Sequence, residues 1–298
     1  MITSTKNQRI VELRKLSQRK HRRRQNRFMV EGLQLIAIAL ETLSKAVAIE
    51  SPPRIVPLDL FYSEELFTGD TAPRLLEGLV TAGATAHPVA PHVLDSLSER
   101  DTCQGLIATF ALREIEHTLS TLLSLLSSPS EGSPLPEGEG LGVRERTSTL
   151  ILILDRLQDP GNLGTLIRTA DAVGATGLIL LEPSVDPFDP KTVRGTMGSI
   201  FSIPFVRTDD VAGVATGLTE RGVRLVGADG QQGQPPWLDR RLSGSVGLVL
   251  GNEARGLSPD IRAYVDDYVR LPLHGQAESL NVAIAGGVLM YEWLRQNG

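Results

Sequence analysis

Short apolar runs recur along the second half of the chain, separated by segments in which apolar residues have helical spacing. Runs of leucine and β-branched residues predict buried parallel strands, and they cover residues 149–155, 177–182, 201–206, 223–229, 247–250 and 268–271. The helical spacing predicts helices at residues 163–173 and 191–199, and one more after Ser279. Strands that alternate with helices are typical of an α/β domain with a parallel sheet. We therefore predict such a domain over residues 149–298.

The first half has a weaker form of the same alternation. It predicts helices and strands, the helices at residues 6–24, 33–43, 73–82 and 92–98 and the strands at residues 27–32, 54–61, 85–89 and 104–110. We therefore predict a small α/β domain over residues 1–112. Residues 113–148 are predicted to be a linker or insertion. Their later part, 127–148, is rich in Pro, Gly, Ser and Glu and cannot bury enough apolar surface to offset the cost of ordering.

The positive charge of the chain is concentrated at its start. Residues 1–30 hold ten Lys or Arg against the single acid Glu12, so this basic arm carries +9, whereas the whole chain carries −5. A segment of one sign favours a polyanion, and nucleic acid in particular, as its partner. A solvated helix face is the alternative, but the segment has no glutamates at helical spacing to relieve its self-repulsion. The candidate RNA-binding residues are Lys20, Arg22, Arg23, Arg24 and Arg27.

Cysteine usage and hydropathy indicate the compartment. A single cysteine, Cys103, excludes an internal disulfide and a cysteine-rich metal site, and it suits a reducing environment. His87 and His274 have no partners at the spacing of metal ligands. No apolar run reaches the length of a membrane span, and the first residues are polar and basic, unlike a signal peptide. We expect a cytoplasmic protein that binds no metal and contacts no membrane.

Three polar loops follow predicted strands, at residues 159–164, 251–256 and 272–281. In open α/β sheets, ligands bind beyond the carboxyl ends of the strands, so these loops predict a ligand site. Each loop combines glycine with Asn, Glu or Ser, and none contains a G-x-G-x-x-G or G-x-x-x-x-G-K-[ST] motif. The absence of a phosphate-binding motif favours a ligand that is recognised through neutral hydrogen bonds.

The third of these loops leads into an apolar helix that is built for close packing. Ser279 is predicted to be the N-cap of that helix, because serine accepts hydrogen bonds from the first helical N–H groups. The small residues Ala283, Ala285, Gly286 and Gly287 allow another helix to approach closely. The segment is therefore predicted to be a ligand site and an interface at once.

Two charged residues near these loops each allow two interpretations. Arg168 lies off the apolar face of its predicted helix, so it is either a solvated arginine or a group aimed at an oxygen that develops negative charge. Glu253 lies between glycines, where its carboxylate either orients an arginine or caps a helix that begins near Ala254. Residue spacing alone favours the ordinary structural role in both cases.

The three loops resemble the three signature motifs of the SpoU (TrmH) family. The resemblance rests on Asp159-Pro160-Gly161-Asn162-Leu163-Gly164 with Arg168-Thr169-Ala170, on Gly251-Asn252-Glu253-Ala254-Arg255-Gly256-Leu257, and on Leu271-Pro272-Leu273 with Ser279-Leu280-Asn281-Val282-Ala283. Members of this branch of the SPOUT methyltransferases methylate ribose 2′-hydroxyls of RNA with S-adenosylmethionine. The resemblance implies a carboxyl-terminal SPOUT domain with a deep trefoil knot, and a homodimer packed through the knot helices. It also implies an RNA-binding amino-terminal domain similar to a small ribosomal protein fold.

The resemblance further implies roles for individual residues. Gly251, Leu271 and Leu280 are expected to line the cofactor pocket, and Arg168 is expected to act in catalysis, with Asn162, Glu253, Ser279 and Asn281 shaping the site. Because arginine stays protonated, we expect Arg168 to stabilise the forming alkoxide and not to act as the base.

Ribosomal RNA is the expected substrate, and two alternatives stay open. One is a transfer RNA ribose methyltransferase, and the other is a catalytically silent RNA-binding assembly factor on the same scaffold. A nucleotide-dependent oxidoreductase is disfavoured by the missing phosphate loop.

Overall fold

The computed structural model describes residues 1–48, 55–98, 103–127 and 148–298. Most of the predicted linker, residues 128–147, lies outside these ranges. The chain divides into two compact units. The amino-terminal unit comprises Met1–Glu116 and Asp186–Ser202, and the carboxyl-terminal unit comprises His117–Val185 and Ile203–Gly298.

Most of the described elements alternate between helix and strand, as predicted, although α2 follows α1 and β9 follows β8. The first half contains α1 (Gln8–Arg14), α2 (Arg19–Gln25), β1 (Arg27–Glu31), α3 (Leu33–Ala48), β2 (Pro57–Tyr62), α4 (Thr71–Thr81), β3 (Thr85–Pro88), α5 (Pro91–Asp95), β4 (Leu106–Ala111) and α6 (Leu119–Ser127). The second half contains β5 (Leu150–Asp155), α7 (Pro160–Ala172), β6 (Gly177–Leu181), α8 (Pro190–Gly195), β7 (Phe205–Thr208), α9 (Val211–Thr219), β8 (Arg224–Ala228), β9 (Val246–Leu250), α10 (Pro259–Arg262), β10 (Asp267–Val269) and α11 (Val282–Asn297).

The amino-terminal unit is built on a four-stranded sheet in the order β1-β4-β2-β3. The strands β1 and β2 run antiparallel to β4, and β3 runs parallel to β2. The basic arm folds onto this unit, because its apolar stripe, Ile10, Leu13 and Leu16, is buried with Phe61 and Val89. The predicted amphipathic pattern is therefore confirmed, but the single predicted helix is broken by a 3-10 turn at Lys15–Ser17.

This break lets Arg22 fold back on the chain that precedes it. Its Nη1 donates to the carbonyl oxygens of Leu16 and Ser17 at 2.7 and 2.8 Å. Its Nε and Nη2 donate to Oδ2 of Asp186 at 3.1 and 2.7 Å, and the side chain is only 2% exposed. The expectation that Arg22 contacts RNA is corrected here, because its donors are used inside the unit and its burial excludes a phosphate.

The segment Asp186–Ser202 belongs to the amino-terminal unit, although the strands on either side of it, β6 and β7, do not. The ring of Phe28 lies 4.8 Å from that of Phe188 and 6.1 Å from that of Phe201, centroid to centroid. Phe201 also meets Phe110 edge-on at 5.1 Å. The segment Asp186–Ser202 was predicted to belong to the domain that covers residues 149–298. The pairing of aromatic rings that are 91 to 173 residues apart in the sequence is a long-range effect that local periodicity does not contain.

The carboxyl-terminal unit is built on a six-stranded sheet in the order β10-β8-β9-β5-β6-β7. Every neighbouring pair of strands in it is parallel. The strands β5, β6 and β9 are buried at every position, as expected for a parallel sheet that is covered on both faces. The predicted α/β fold with a parallel sheet is confirmed. The trefoil knot stays a prediction, because strand order does not define how a chain passes through its own loops.

Three helices of the carboxyl-terminal unit were not predicted, namely α6, α9 and the short α10. Helix α6 lies inside the predicted linker, and its residues Leu122 and Leu123 are buried in the core beneath the sheet. Helix α9 connects β7 to β8 and contributes Val214 and Leu218 to the same core. The predicted strand at 201–206 begins only at Phe205, because Ser199–Phe201 forms a 3-10 turn.

Candidate active site

A cavity of about 400 Å³ lies beyond the carboxyl ends of β8, β9 and β10. Its size is within the usual range of small-molecule sites. It contains the three residues that were expected to bind the cofactor, Gly251, Leu271 and Leu280, together with Glu253 and Ser279. The remaining lining residues are Ala228, Asp229, Gly230, Gln231, Asn252, Ala254, Arg255, Gly256, Arg262, Val269, Leu273, Glu278, Val282, Ala285 and Leu289.

The sequence did not predict that the turn Ala228–Gln231, at the end of β8, forms one wall of this cavity. It also did not predict that Arg262 lines the cavity. A signal for the turn was present, since Asp229 and Gly230 end a predicted strand just as the three predicted loops do. Conversely, the loop at residues 159–164 was predicted to border the site but does not line the cavity. Its contribution is indirect and runs through Asn162.

The loop after β9 lines the cavity and is held closed by its own hydrogen bonds. The backbone N–H of Asn252 donates to the carbonyl of Gly256 at 3.0 Å, and the N–H of Gly256 donates back at 2.9 Å. A Cβ at Gly251 would collide with the backbone of Gly256, so only glycine fits there. The side-chain amide of Asn252, which is buried, donates to the carbonyl of Arg156 and accepts from the N–H groups of Ala254 and Arg255.

The carboxylate of Glu253 joins this loop to the loop after β5. Its Oε1 accepts from the N–H of Asp159 at 3.3 Å and from Nδ2 of Asn162 at 3.1 Å, and its Oε2 accepts from the N–H of Gln158 at 3.4 Å. No helix begins near Ala254, so the capping interpretation of Glu253 is wrong. The next helix is α10, which begins at Pro259 and is capped by Ser258.

Asn281 completes a chain of hydrogen bonds from the second loop to the third. Its Nδ2 donates to Oδ1 of Asn162 at 2.9 Å, while Asn162 donates to Glu253. Its own Oδ1 accepts from the N–H groups of Ala283 and Ile284 at 2.9 and 3.2 Å. Asn281 is therefore the N-cap of α11, and the prediction that Ser279 has this role is wrong. The residues Asn162, Glu253 and Asn281 thus form one connected network, and Ser279 lines the cavity beside it.

Arg168 lies on the exposed side of α7, outside the cavity lining. Within the described part of the chain its side chain has no hydrogen bond or ion pair. The opposite side of α7 packs against α11, where a Cβ at Gly286 would lie 2.6 Å from both Leu166 and Leu250. The predicted close packing of the small residues in α11 is therefore confirmed at Gly286. The structure does not bring Arg168 to the cavity of its own chain.

Asp229 and Arg262 form an ion pair in the cavity lining, which also contains the charged residues Glu253, Arg255 and Glu278. Burial by itself would raise the pKa of Asp229, but hydrogen bonds from the N–H of Gln231 and from Arg262 outweigh it and hold the pKa below its ordinary value. The hydrogen bond to Asp229 in turn raises the pKa of Arg262. Both groups are therefore charged at neutral pH, and their charges largely cancel.

The described residues include no helix that is long and apolar enough to span a bilayer. Nor do they contain three His, Cys, Asp or Glu side chains grouped closely enough to hold a metal ion.

The carboxyl-terminal unit therefore belongs to the class of α/β domains that have an open parallel sheet and a ligand-sized cavity at the carboxyl ends of its strands. Comparison with known proteins narrows this class. Residues 149–291 match the model of the SpoU rRNA methylase family, and residues 7–108 match that of an MRM3-like substrate-binding domain. The chain belongs to the SpoU rRNA methylase family.

Three similar proteins illustrate the relationship. The 23S rRNA (guanosine(2553)-2′-O)-methyltransferase RlmP of Bacillus subtilis is 31% identical over 292 residues, which are 97% of each chain. The AdoMet-bound rRNA methyltransferase of Sinorhizobium meliloti is 32% identical with a TM-score of 0.76, over 99% of this chain and 97% of that one. The SpoU methyltransferase AviRb of Streptomyces viridochromogenes, in complex with AdoMet, is 29% identical with a TM-score of 0.75, over 98% of both chains.

We expect the N-cap of α11 to be identifiable by substitution. Asn281→Ala removes the acceptor for two helical N–H groups and the donor to Asn162, so it should cost about 1 kcal/mol of stability or more. Asn281→Asp keeps the acceptor, so the amides of Ala283 and Ile284 should stay protected from hydrogen exchange. Ser279→Ala is the control and should change stability by less than about 0.5 kcal/mol. If urea unfolding gave Ser279→Ala the larger loss, the assignment of the cap would be wrong.

Proposed function

We propose that the protein transfers the methyl group of S-adenosylmethionine to a ribose 2′-hydroxyl of ribosomal RNA, in the cytoplasm. The observation that carries the proposal is the network of Glu253, Asn162 and Asn281 beside a backbone-lined cavity. It is supported by family membership and by relatives that are named 23S rRNA 2′-O-methyltransferases. A silent assembly factor is disfavoured, because the residues of all three motifs are present.

The cavity fits the proposed cofactor by its chemistry. S-adenosylmethionine has no phosphate, and the cavity is walled by loops that contain glycines, among them Gly251 and Gly256, and no phosphate-binding motif. When bound, the cofactor supplies an already activated methyl group. The protein therefore has to position the ribose and to stabilise the charge that its oxygen acquires as the proton leaves.

Arg168 is proposed to stabilise this charge. A guanidinium stays protonated and donates hydrogen bonds, so it suits a developing alkoxide and is a poor base. Arg168 is exposed and has no partner among the described residues, which leaves its donors available. Because it does not line the cavity of its own chain, we propose that it serves the cavity of a second copy.

We expect Arg168→Ala to lower the rate of methyl transfer by at least about 100-fold, since one preorganised donor to a developing oxyanion contributes about 3–4 kcal/mol. Cofactor affinity, measured by calorimetry, should stay within a few-fold of wild type. Arg168→Lys keeps the charge but loses the fork of donors, and it should recover part of the rate. A large loss of cofactor affinity in Arg168→Ala would show instead that this residue belongs to the cofactor pocket.

A homodimer is proposed because α11 exposes an apolar face. Ile284, Val288 and Tyr291 are 57%, 45% and 55% exposed and lie at positions i, i+4 and i+7 of one helix. Such a contiguous stripe is unusual on the surface of a monomer and marks an interaction site. A second copy is the proposed occupant, since the resemblance implies packing through these helices and Arg168 requires a second cavity.

We expect Ile284→Glu to yield monomers in sedimentation velocity, because burial of the new carboxylate would oppose association. Methyl transfer should fall with the loss of the dimer. Val80→Glu is the matched control, since Val80 is 44% exposed on α4 of the amino-terminal unit. Dimers in Ile284→Glu, or monomers in the wild type, would contradict the proposed interface.

The amino-terminal unit is proposed to hold the RNA through its basic arm. Three of the five predicted residues, Lys20, Arg23 and Arg24, are exposed. Arg24 is 62% exposed and lies 3.7 Å from Glu12, a weak surface pair. Arg27 is less available, because its Nη1 donates to Oδ2 of Asp59 at 2.6 Å. The first three therefore form the proposed phosphate-binding set.

We expect the triple substitution Lys20→Gln, Arg23→Gln and Arg24→Gln to weaken RNA binding and to flatten its dependence on salt. Loss of three phosphate contacts should reduce the slope of log K against log salt by about 2 to 3. The control replaces three other exposed cations of the same unit, Lys45, Arg74 and Arg113, and removes the same net charge. If both triple variants changed RNA affinity and its salt dependence equally, the effect would come from the net charge of the unit. That result would overturn the assignment of Lys20, Arg23 and Arg24 as phosphate contacts.

A further inference from the structure

One guanidinium connects two of the loops that line the cavity. Arg262 is the last residue of α10, and its Nε donates to the carbonyl oxygen of Leu257 at 3.0 Å. Its Nη2 donates to Oδ2 of Asp229 at 2.7 Å. Leu257 immediately follows the loop after β9, and Asp229 lies in the turn after β8. Arg262 therefore links the walls of the cavity across the gap between two neighbouring strands.

The carboxylate of Asp229 is fully occupied by the protein. Its Oδ1 accepts from the N–H groups of Gln231 and Gln232 at 2.8 and 3.3 Å. Its Oδ2 accepts from Arg262 and from Nε2 of Gln232 at 3.2 Å. A carboxylate offers about four lone-pair sites, so Asp229 has none left for a ligand. Its side chain is 10% exposed and holds the turn Ala228–Gln231 in one shape.

The same turn is bonded to the strand that leads into the third loop. The N–H of Asp229 donates to the carbonyl of Val269 at 3.1 Å, and the N–H of Gln234 donates to that of Tyr268 at 3.4 Å. The guanidinium of Arg262 lies 6.0 Å from the centre of the Tyr268 ring, within the range of a cation–π contact. Through Asp229, the position of Arg262 thus affects all three walls of the cavity.

We propose that Arg262 and Asp229 are positioning residues, which hold the backbone groups of the cavity in the geometry that binds S-adenosylmethionine. The inference rests on the proposed function. A cofactor without phosphates is recognised by backbone donors and acceptors, and these lie on loops that lose conformational freedom when they bind. A brace that orders the loops beforehand removes that cost from the binding step.

The expected consequence is a change in affinity without a matching change in chemistry. Arg262→Met keeps much of the volume and removes both hydrogen bonds, so the Kd for S-adenosylmethionine should rise at least tenfold. The Kd for the product S-adenosylhomocysteine should rise by the same factor, because the loops contact the part that the two molecules share. The kcat at saturating cofactor should stay within about threefold, since neither residue belongs to the network of Glu253, Asn162 and Asn281.

The experiment compares wild type, Arg262→Met, Arg262→Lys, Asp229→Asn and the double variant Arg262→Met/Asp229→Asn. Calorimetry gives both Kd values well below the melting temperature of each variant, and a methyl-transfer assay gives kcat. Lysine reaches one acceptor but not both, so Arg262→Lys should be intermediate. The double variant should bind about as weakly as Arg262→Met alone, because the two residues act as one unit.

Arg241→Met is the matched control. It breaks another Arg–Asp pair of the carboxyl-terminal unit, in which Nη1 of Arg241 donates to both carboxylate oxygens of Asp267 at 2.8 and 2.7 Å. Neither residue lines the cavity. Arg241→Met should lower the melting temperature without changing either Kd, and this separates positioning from general stability.

Each result decides the question. Kd values within twofold of wild type in the variants that fold, or an equal loss of affinity in Arg241→Met, would overturn the inference. If Arg262→Met does not fold, Arg262→Lys and Asp229→Asn give the same comparison. If wild-type protein binds the cofactor and methylates RNA while the variants bind as tightly, only the inference fails. If wild-type protein does not bind S-adenosylmethionine, the proposed function fails and the inference fails with it.

Discussion

The hydrogen bonds from Asn281 to Asn162 and from Asn162 to Glu253 are the constraint on which the site depends. Asn281 and Asn162 are 119 residues apart in the sequence, and Asn162 and Glu253 are 91 residues apart. The side-chain amides of Asn162 and Asn281 each donate through Nδ2 to one neighbour and accept through Oδ1 from another. A residue that lacks either the donor or the acceptor would therefore break the network. Because Asn281 also caps α11, the start of the last helix is fixed by the same interaction that orders the site.

The distribution of charge along the sequence does not by itself identify which cations are available to bind RNA. The sequence places ten cations in the first 30 residues, but their roles differ once the unit has folded. Arg22 donates its hydrogen bonds to Asp186 and to two carbonyl groups, and Arg27 is paired with Asp59. Burying a charged group is costly unless its donors are satisfied, so the bonds of Arg22 serve the fold of its own unit. Charge counts therefore overstate the number of phosphate contacts that the segment can make.

The sequence predicted those features that are local or periodic. The strands β5 and β9 were found because both faces are buried and the runs are continuous, and the loops after them followed from strand order. Helix α6 was missed because a Ser- and Pro-rich stretch follows it directly. Ser279 and Asn281 are both good cap residues and lie two positions apart, but Asn281 is the one that accepts from the helical N–H groups, and it also donates to Asn162. The assignment of Phe188 to the amino-terminal unit required its contact with Phe28, which no local pattern contains.

The chemistry explains why so much of the structure is devoted to bracing loops. Transfer of an activated methyl group needs no strong acid, base or metal at the donor, so the protein acts mainly by holding two partners in line. Backbone groups on loops can recognise such a donor only if the loops are already ordered. Glu253 orders the loop after β5, Asn252 orders its own loop, and the pair of Arg262 and Asp229 orders the turn after β8. Several polar side chains around the cavity thus hold its loops in place, whereas the side chain of Arg168, the residue proposed to stabilise the reacting oxygen, has donors that no described residue uses.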